Sequence, residues 1–529
     1  MTQQKILRSW SGYLVSAAVL CVGAAMVAGG LSSGGTTAAT TVKAPLTGVP
    51  AGEYVGVCPD PAHLLEGTIT GGDPKFSPKS TTAASSVSAV VLQDASSAVP
   101  PGNLSALGAK ETLTTLGGSG AEDPKEAGGG PAAQHGKAAA VASHQVQQPS
   151  VLRAQPLGQQ QAAAAALMTY SSDDGDLQGL AAATCQQPAN DMWILGANTT
   201  LGQTALLTIA NPSSTPASVD LQFHGGEGRI DTPGGRSILI PPGETESIVL
   251  GGMAPDQSRL AVRIQSSGAP VTAAIQQSAL RDLTPGGVAY LTPAAGPSTG
   301  QVVTGVRIQD HKDARKIAAQ KGYESTTPVL QVAVPGSTKA VAQVRAFGPQ
   351  GEEPLAGDGV ITVPGGTVRQ IPLDDLPKGT YTIDVSADVS MVAAVRMSKG
   401  TKPSKPVDMA YAASTERMGS KHVIPVSDSA DGRLVFGAPD GAAEVELTPL
   451  DSEGNQGSST VIQLEAGTTR TIEVSEPGGK GTAGFIATAS GGAVYGGQLL
   501  TADDSADIAA VKVPPAVADP RQLPVVLGY

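Results

Sequence analysis

Aromatic residues are scarce in this chain: 3% of 529 positions, with two Trp, nine Tyr and five Phe. Hydrophobic residues still reach 40%, so any core is built from Val, Ile, Leu and Ala. The shortage also counts against a glycoside hydrolase, whose paired carboxylates would need a cleft lined by aromatic platforms for the sugar. Positive charge is limited too. Lys and Arg number 34 against 46 Asp and Glu, a net charge of −12, and the acidic residues are spread along the chain. Nucleic-acid binding needs a basic footprint, which excludes that class, and tight adhesion to anionic lipid is disfavoured on the same ground. The six histidines, His63, His135, His144, His224, His311 and His422, are scattered. HExxH and the phosphate-binding GxxxxGK[ST] loop are absent, and no nucleophile elbow is expected. No catalytic residue, cofactor or metal is expected.

What is present is a β-rich unit written three times. The first copy carries LLTIANP (Leu206–Pro212) and ILIPPGETESIVL (Ile238–Leu250). The second carries VLQVAVP (Val329–Pro335) and ITVPGGTVRQIPL (Ile361–Leu373). The third carries RLVFGAP (Arg433–Pro439) and VIQLEAGTTRTIEV (Val461–Val474). Gly243, Gly366 and Gly467 fall at one place in this pattern, each followed at the fifth position by Ile248, Ile371 or Ile472. They are read as hairpin-turn glycines supplying a positive φ that branched residues tolerate poorly. Alternating runs such as Val219, Leu221, Phe223 and Leu260, Val262, Ile264 put one strand face inward. Gly (66) and Pro (40) supply the turns.

The fold expected is all-β: tandem immunoglobulin-like β-sandwich modules after one N-terminal transmembrane helix. Residues 1–33 form a cytoplasmic start and signal anchor, and 34–53 a flexible stalk. Residues 54–184 form a degenerate β module with a disordered insertion at 94–148, where large apolar residues nearly vanish. Sandwich modules follow at 185–305, 328–421 and 422–529, the last ending in a strand or extended tail. The charged stretch 306–327 is a linker with room for one short helix. The paired alanines of VTAAIQQS (Val271–Ser278) and MVAAVRMS (Met391–Ser398) are read as tight core packing in preference to a neighbouring module.

Lys5 and Arg8 precede an uncharged stretch, Tyr13 to Leu31, close to the roughly 20 apolar residues that span a bilayer. The charge bias places the body outside the cytoplasm, either on a retained anchor or, if a signal peptide is cleaved, as a secreted protein. The expected location is therefore the cell membrane, single-pass through 13–31, with the C-terminal body extracytoplasmic. Of the three cysteines, Cys21 lies in that stretch. Outside the membrane a disulfide between Cys58 (CPDPA) and Cys185 (CQQPA) is permitted; two free thiols are the alternative. Three further sites are weighed. Trp193 is taken to cover the sandwich core near the disulfide. His224 and Glu227, in HGGEG, are a solvated hairpin or a polar pair. Asp173, Asp174 and Asp176 make part of a calcium loop without its closing Glu.

The run from Cys185, CQQPANDMWILGANTTLGQTALLTIANPSSTPASVDL, has a Cys, a Pro, an aromatic before a small apolar strand, an LANP-like turn and an A-x-V-x-L strand. It resembles an actinobacterial family of secreted or membrane-anchored proteins, domain of unknown function family 5719, and Cys58-Pro59 resembles that family's upstream cysteine. The resemblance implies an envelope location and no assigned activity. The functional expectation is a non-enzymatic cell-envelope protein, a membrane-tethered string of modules for protein or glycan interaction. Alternatives are an accessory carbohydrate-binding component of an envelope glycan pathway and a cryptic hydrolase.

Overall fold

The computed structural model describes residues 46–48, 51–68, 77–93, 99–117, 138–156, 160–400, 402, 405–502, 505–516 and 522–524. Segment 13–31 and Cys21 lie outside them, as do 94–98 and 118–137 of the expected insertion. Among the described residues no helix is long and apolar enough to cross a membrane. The chain forms two compact units. In the smaller, Leu46–Gly48 of the expected stalk pairs antiparallel with Gln522–Pro524 of the C-terminal tail. The larger, Pro50–Pro520, is all-β and antiparallel.

Its strands fall into four copies of one eight-strand plan. Copy one uses Tyr54–Val57, Ala84–Leu92, Gly102–Ala106, Thr112–Leu116, Ala138–Gln145, Ser150–Ala154, Ala164–Ser172 and Gly179–Thr184. Copy two uses Asp191–Ala197, Gln203–Ala210, Ala217–His224, Ile238–Ile240, Thr245–Val249, Leu260–Gly268, Thr272–Arg281 and Thr284–Leu291. Copy three runs from Ser298–Ile308 to Val407–Ala413, with its sixth and seventh strands fused into the single strand Gly379–Gly400. Copy four runs from His422–Pro425 to Ile508–Lys512. In every copy one sheet has the order first-sixth-third-fourth and the other fifth-second-seventh-eighth. Buried side chains from both sheets meet in each copy, so each is a sandwich.

The all-β expectation holds, and the strand order differs from the immunoglobulin one at the first strand. An immunoglobulin domain keeps its first two strands in one sheet. Here the first and second strands lie in opposite sheets, and hairpins join only third to fourth and seventh to eighth.

The insertion at 94–148 is corrected as well. Gly102–Ala106, Thr112–Leu116 and Ala138–Gln145 are strands, with Leu104 and Leu116 fully buried and Leu113 exposed. Ordering this poor composition is supported from outside the module, since Ala138 N–H donates to Gly454 O (2.8 Å) of copy four. The linker at 306–327 is corrected in part. Residues up to Ile308 belong to Ser298–Ile308, a strand of copy three paired along Gly379–Gly400. Beyond it His311–Ala318 is a short helix, N-capped by the Asp310 carboxylate accepting from Lys312 N–H (2.9 Å).

The repeat glycines have φ of 73° (Gly243), 74° (Gly366) and 71° (Gly467). Each N–H donates to the carbonyl of the residue before the repeat's proline: Asn211 (2.8 Å), Val334 (2.9 Å) and Ala438 (2.8 Å). The two halves of the sequence signature are therefore hydrogen-bonded to each other. The turn is not a hairpin, because its flanking strands, fourth and fifth, belong to opposite sheets. It is the crossover that closes the sandwich.

Third strands alternate buried and open residues, as in Ala217–His224 and Ala443–Asp451. Eighth strands do not: Gly179–Thr184 is buried throughout, and only the terminal residue of Val407–Ala413 and of Ile508–Lys512 is less than buried. A continuously apolar strand is one covered on both faces. The eighth strand of each copy packs on that of the next, and copy four returns to copy one. The string of modules expected from the sequence is thus a closed ring of four, centred on its eighth strands.

Candidate functional site

The centre of the ring holds a carboxylate. Asp408 is 2% exposed. Its Oδ2 accepts N–H groups from Leu180 (2.9 Å) of copy one and Ile508 (3.0 Å) of copy four. Its Oδ1 accepts from Val288 (3.2 Å) of copy two and from its own neighbour Met409 (2.9 Å). One side chain thus joins equivalent strands of all four modules. Burial pushes its pKa well above the ordinary carboxylate range, and the N–H donors oppose that shift. Copies one and two carry glycine just before their donors. A Cβ on Gly179 or Gly287 would lie 2.6 or 2.5 Å from Asp408 Oδ1, so neither position has room for a side chain.

A second feature lies where copies two, three and four meet. A cavity of about 270 Å³ is bounded by Ala294–Ala295, by the segment 414–418 and by 512–516. Lys512 Nζ donates to Pro293 O (2.7 Å). Some of its side-chain area stays open, but the protein packed around the nitrogen lowers its pKa to about 8, a fall that Glu416 partly offsets. The Thr415 hydroxyl is buried with no hydrogen-bond partner, although its N–H reaches Val302 O (2.8 Å). His422 is fully engaged. Its Nε2 accepts from Gly419 N–H (2.9 Å), so Nδ1 carries the proton donated to Pro514 O (2.8 Å). Burial lowers its pKa, which keeps the ring neutral. With both nitrogens committed, His422 has no lone pair for base catalysis.

The residues singled out from the sequence are distributed as follows. Cys58 and Cys185 are disulfide-bonded across 127 positions, both inside the core of copy one. Trp193 is not beside them. It packs with Leu195 and Ala261 of copy two against Ala333, Val368, Val392 and Ala394 of copy three. Ala394 shows that the paired alanines of copy three serve a module contact on one face and, through Ala393, a core on the other. His224 is buried, not solvated. Its Nδ1 bonds Gly366 O (3.0 Å) of the next module, while Glu227 is exposed. Asp174 is no metal ligand in waiting, since its oxygens accept from the Ser80, Thr81 and Thr82 hydroxyls and from Thr81 and Thr82 N–H. These bonds hold its pKa far below the ordinary range.

Sequence reading passed over two Gly-x-Ser-x-Gly patterns, Gly30–Gly34 and Gly296–Gly300. The first lies outside the described residues. In the second, Ser298 opens a strand, donates to Gly300 O (2.5 Å) and accepts from Gln301 Nε2 (2.9 Å). A nucleophile elbow needs a strand-to-helix turn with a free Oγ, so the match is incidental. Asp408 and Lys512 were also missed. Each is a lone charge in an otherwise apolar eighth strand, VDMAYAA and IAAVK, and that was the available signal.

A family model described as "Family of unknown function (DUF5719)" matches residues 140–475, more than half of the chain. The chain belongs to this family. The match runs from the fifth strand of copy one to just past the fifth strand of copy four. It includes Asp408 and leaves Lys512 outside. Comparison with curated proteins gives no match.

Proposed function

We propose that this DUF5719 protein is a non-enzymatic extracytoplasmic component of an actinobacterial cell envelope, held at the membrane through residues 13–31. Its ring of sandwich modules docks a protein or glycan partner. The observation that carries this reading is what the buried polar groups do. Asp408 and His422 use their hydrogen bonds to hold strands in place, and His224 uses Nδ1 to bond the next module. A frame so constructed presents loops in fixed positions, and the loops are where the four copies differ. Membrane fractionation and surface proteolysis of cells expressing the full chain test the reading. The body is expected in the membrane or wall fraction and accessible from outside. Recovery in the cytoplasm would remove it.

The cavity beside Lys512 favours a second reading, an accessory carbohydrate-binding component. Small-ligand sites are concave, mostly apolar and carry a few convergent polar groups, and this cavity has that make-up. An array of envelope glycans separates the two readings: selective glycan retention supports the second, and retention of none leaves the first.

A further inference from the structure

We propose that the cavity at the meeting of copies two, three and four binds the carboxylate or phosphate group of a small ligand. The Lys512 ammonium is its counter-ion and the Arg417 guanidinium, at the exposed rim, its second positive group. The site carries donors that the protein does not use. Of three N–H groups on Lys512, one is occupied among the described residues, on Pro293 O. Arg417 adds a second positive charge at the exposed rim, where Glu416 is the one carboxylate among the described residues that line the cavity. The local balance therefore favours an anion. Ala294, Ala295, Met418 and Val513 supply an apolar wall for the carbon part of the ligand, and about 270 Å³ suits a ligand of roughly monosaccharide size. The inference rests on the binding-module reading and not on where in the cell the protein resides.

Calorimetric titration of the purified full chain with glucuronate, with inorganic phosphate and with glucose tests it. Saturable binding of either anion, without binding of glucose, is expected. Glucuronate alone identifies a sugar acid and phosphate alone a phosphate group. Affinity should fall as pH rises from 7 to 9, because the amine loses its charge near pH 8. Arg417→Gln should weaken binding about ten-fold by removing one charged partner of the anion. The thermal midpoint should stay close to the native one, since Arg417 is exposed and its contacts to Gly491 O and Gly492 O are long, 3.4 Å each. Lys512→Met should abolish binding. Absence of saturable binding by either anion would overturn the proposal. So would a flat pH profile, or unchanged affinity in a folded Arg417→Gln protein. A negative result together with correct envelope location would leave the broader function standing.

Discussion

Asp408 and Lys512 are both lone charges in eighth strands, both at places where modules meet, yet the fold treats them in opposite ways. Asp408 receives N–H donors on both carboxylate oxygens, drawn from all four modules. Lys512 has one acceptor among the described residues and lines a cavity that Arg417 borders. A buried charge whose bonds are all made within the chain fixes structure; one whose bonds are left open has capacity for a ligand.

The largest effect expected from breaking that contrast is at Asp408. Asp408→Asn replaces one oxygen by an NH2 that faces backbone donors, and should destabilise the Pro50–Pro520 unit by about 3–5 kcal/mol. Chemical denaturation checks it, and a loss below about 1 kcal/mol would deny Asp408 its role. Next is the covalent counterpart in copy one. Converting Cys58 and Cys185 together to Ser should cost about 2–4 kcal/mol, read as the shift between oxidised and double-mutant unfolding midpoints.

The repeat glycines sharpen the comparison between modules. Gly366→Ala should cost about 1–2 kcal/mol from its positive φ alone, because a Cβ there meets nothing. Gly243→Ala should cost more, since its Cβ would lie 2.9 Å from Gly108 Cα of copy one. Equal losses would show that this contact is unimportant.

The smallest effect is a slope. The Lys512 pKa is lowered from 10.5 to about 8, so the folded state holds that proton less tightly than the unfolded chain. The resulting cost is fully present below pH 8 and is relieved as pH rises from about 8 towards 10.5. The stability of the native chain relative to Lys512→Met should therefore improve across that window. A parallel pair of curves would mean that the amine is not buried as described.

Much of the fold was legible in the sequence, for definite reasons. Alternation marks third and sixth strands because one face is wet, and the glycine crossover recurs because its φ admits few residues. The first strand of copy three was missed. Ser298–Ile308 mixes Ser, Thr, Gln and Arg with its valines, and its partner, the sixth strand, lies far along the chain. Ring closure was hidden for the same reason: local periodicity does not report which eighth strands meet. The remaining trace was compositional, in the alanine-rich LAAAT, MAYAA and IAAVK. The disulfide pair was readable because the two cysteines outside the apolar N-terminal stretch share a C-x-x-P-A pattern. The two charges were not, because a single Asp or Lys in a strand has no spacing to interpret.

Native-state hydrogen exchange on the Asp408→Asn protein tests the ring most directly. Leu180, Val288 and Ile508 belong to three different modules and share one acceptor. The structure predicts that their amides are protected in the native chain and lose protection together in the variant. Loss confined to the peptide around residue 408, with Leu180, Val288 and Ile508 still protected, would contradict a ring closed on Asp408.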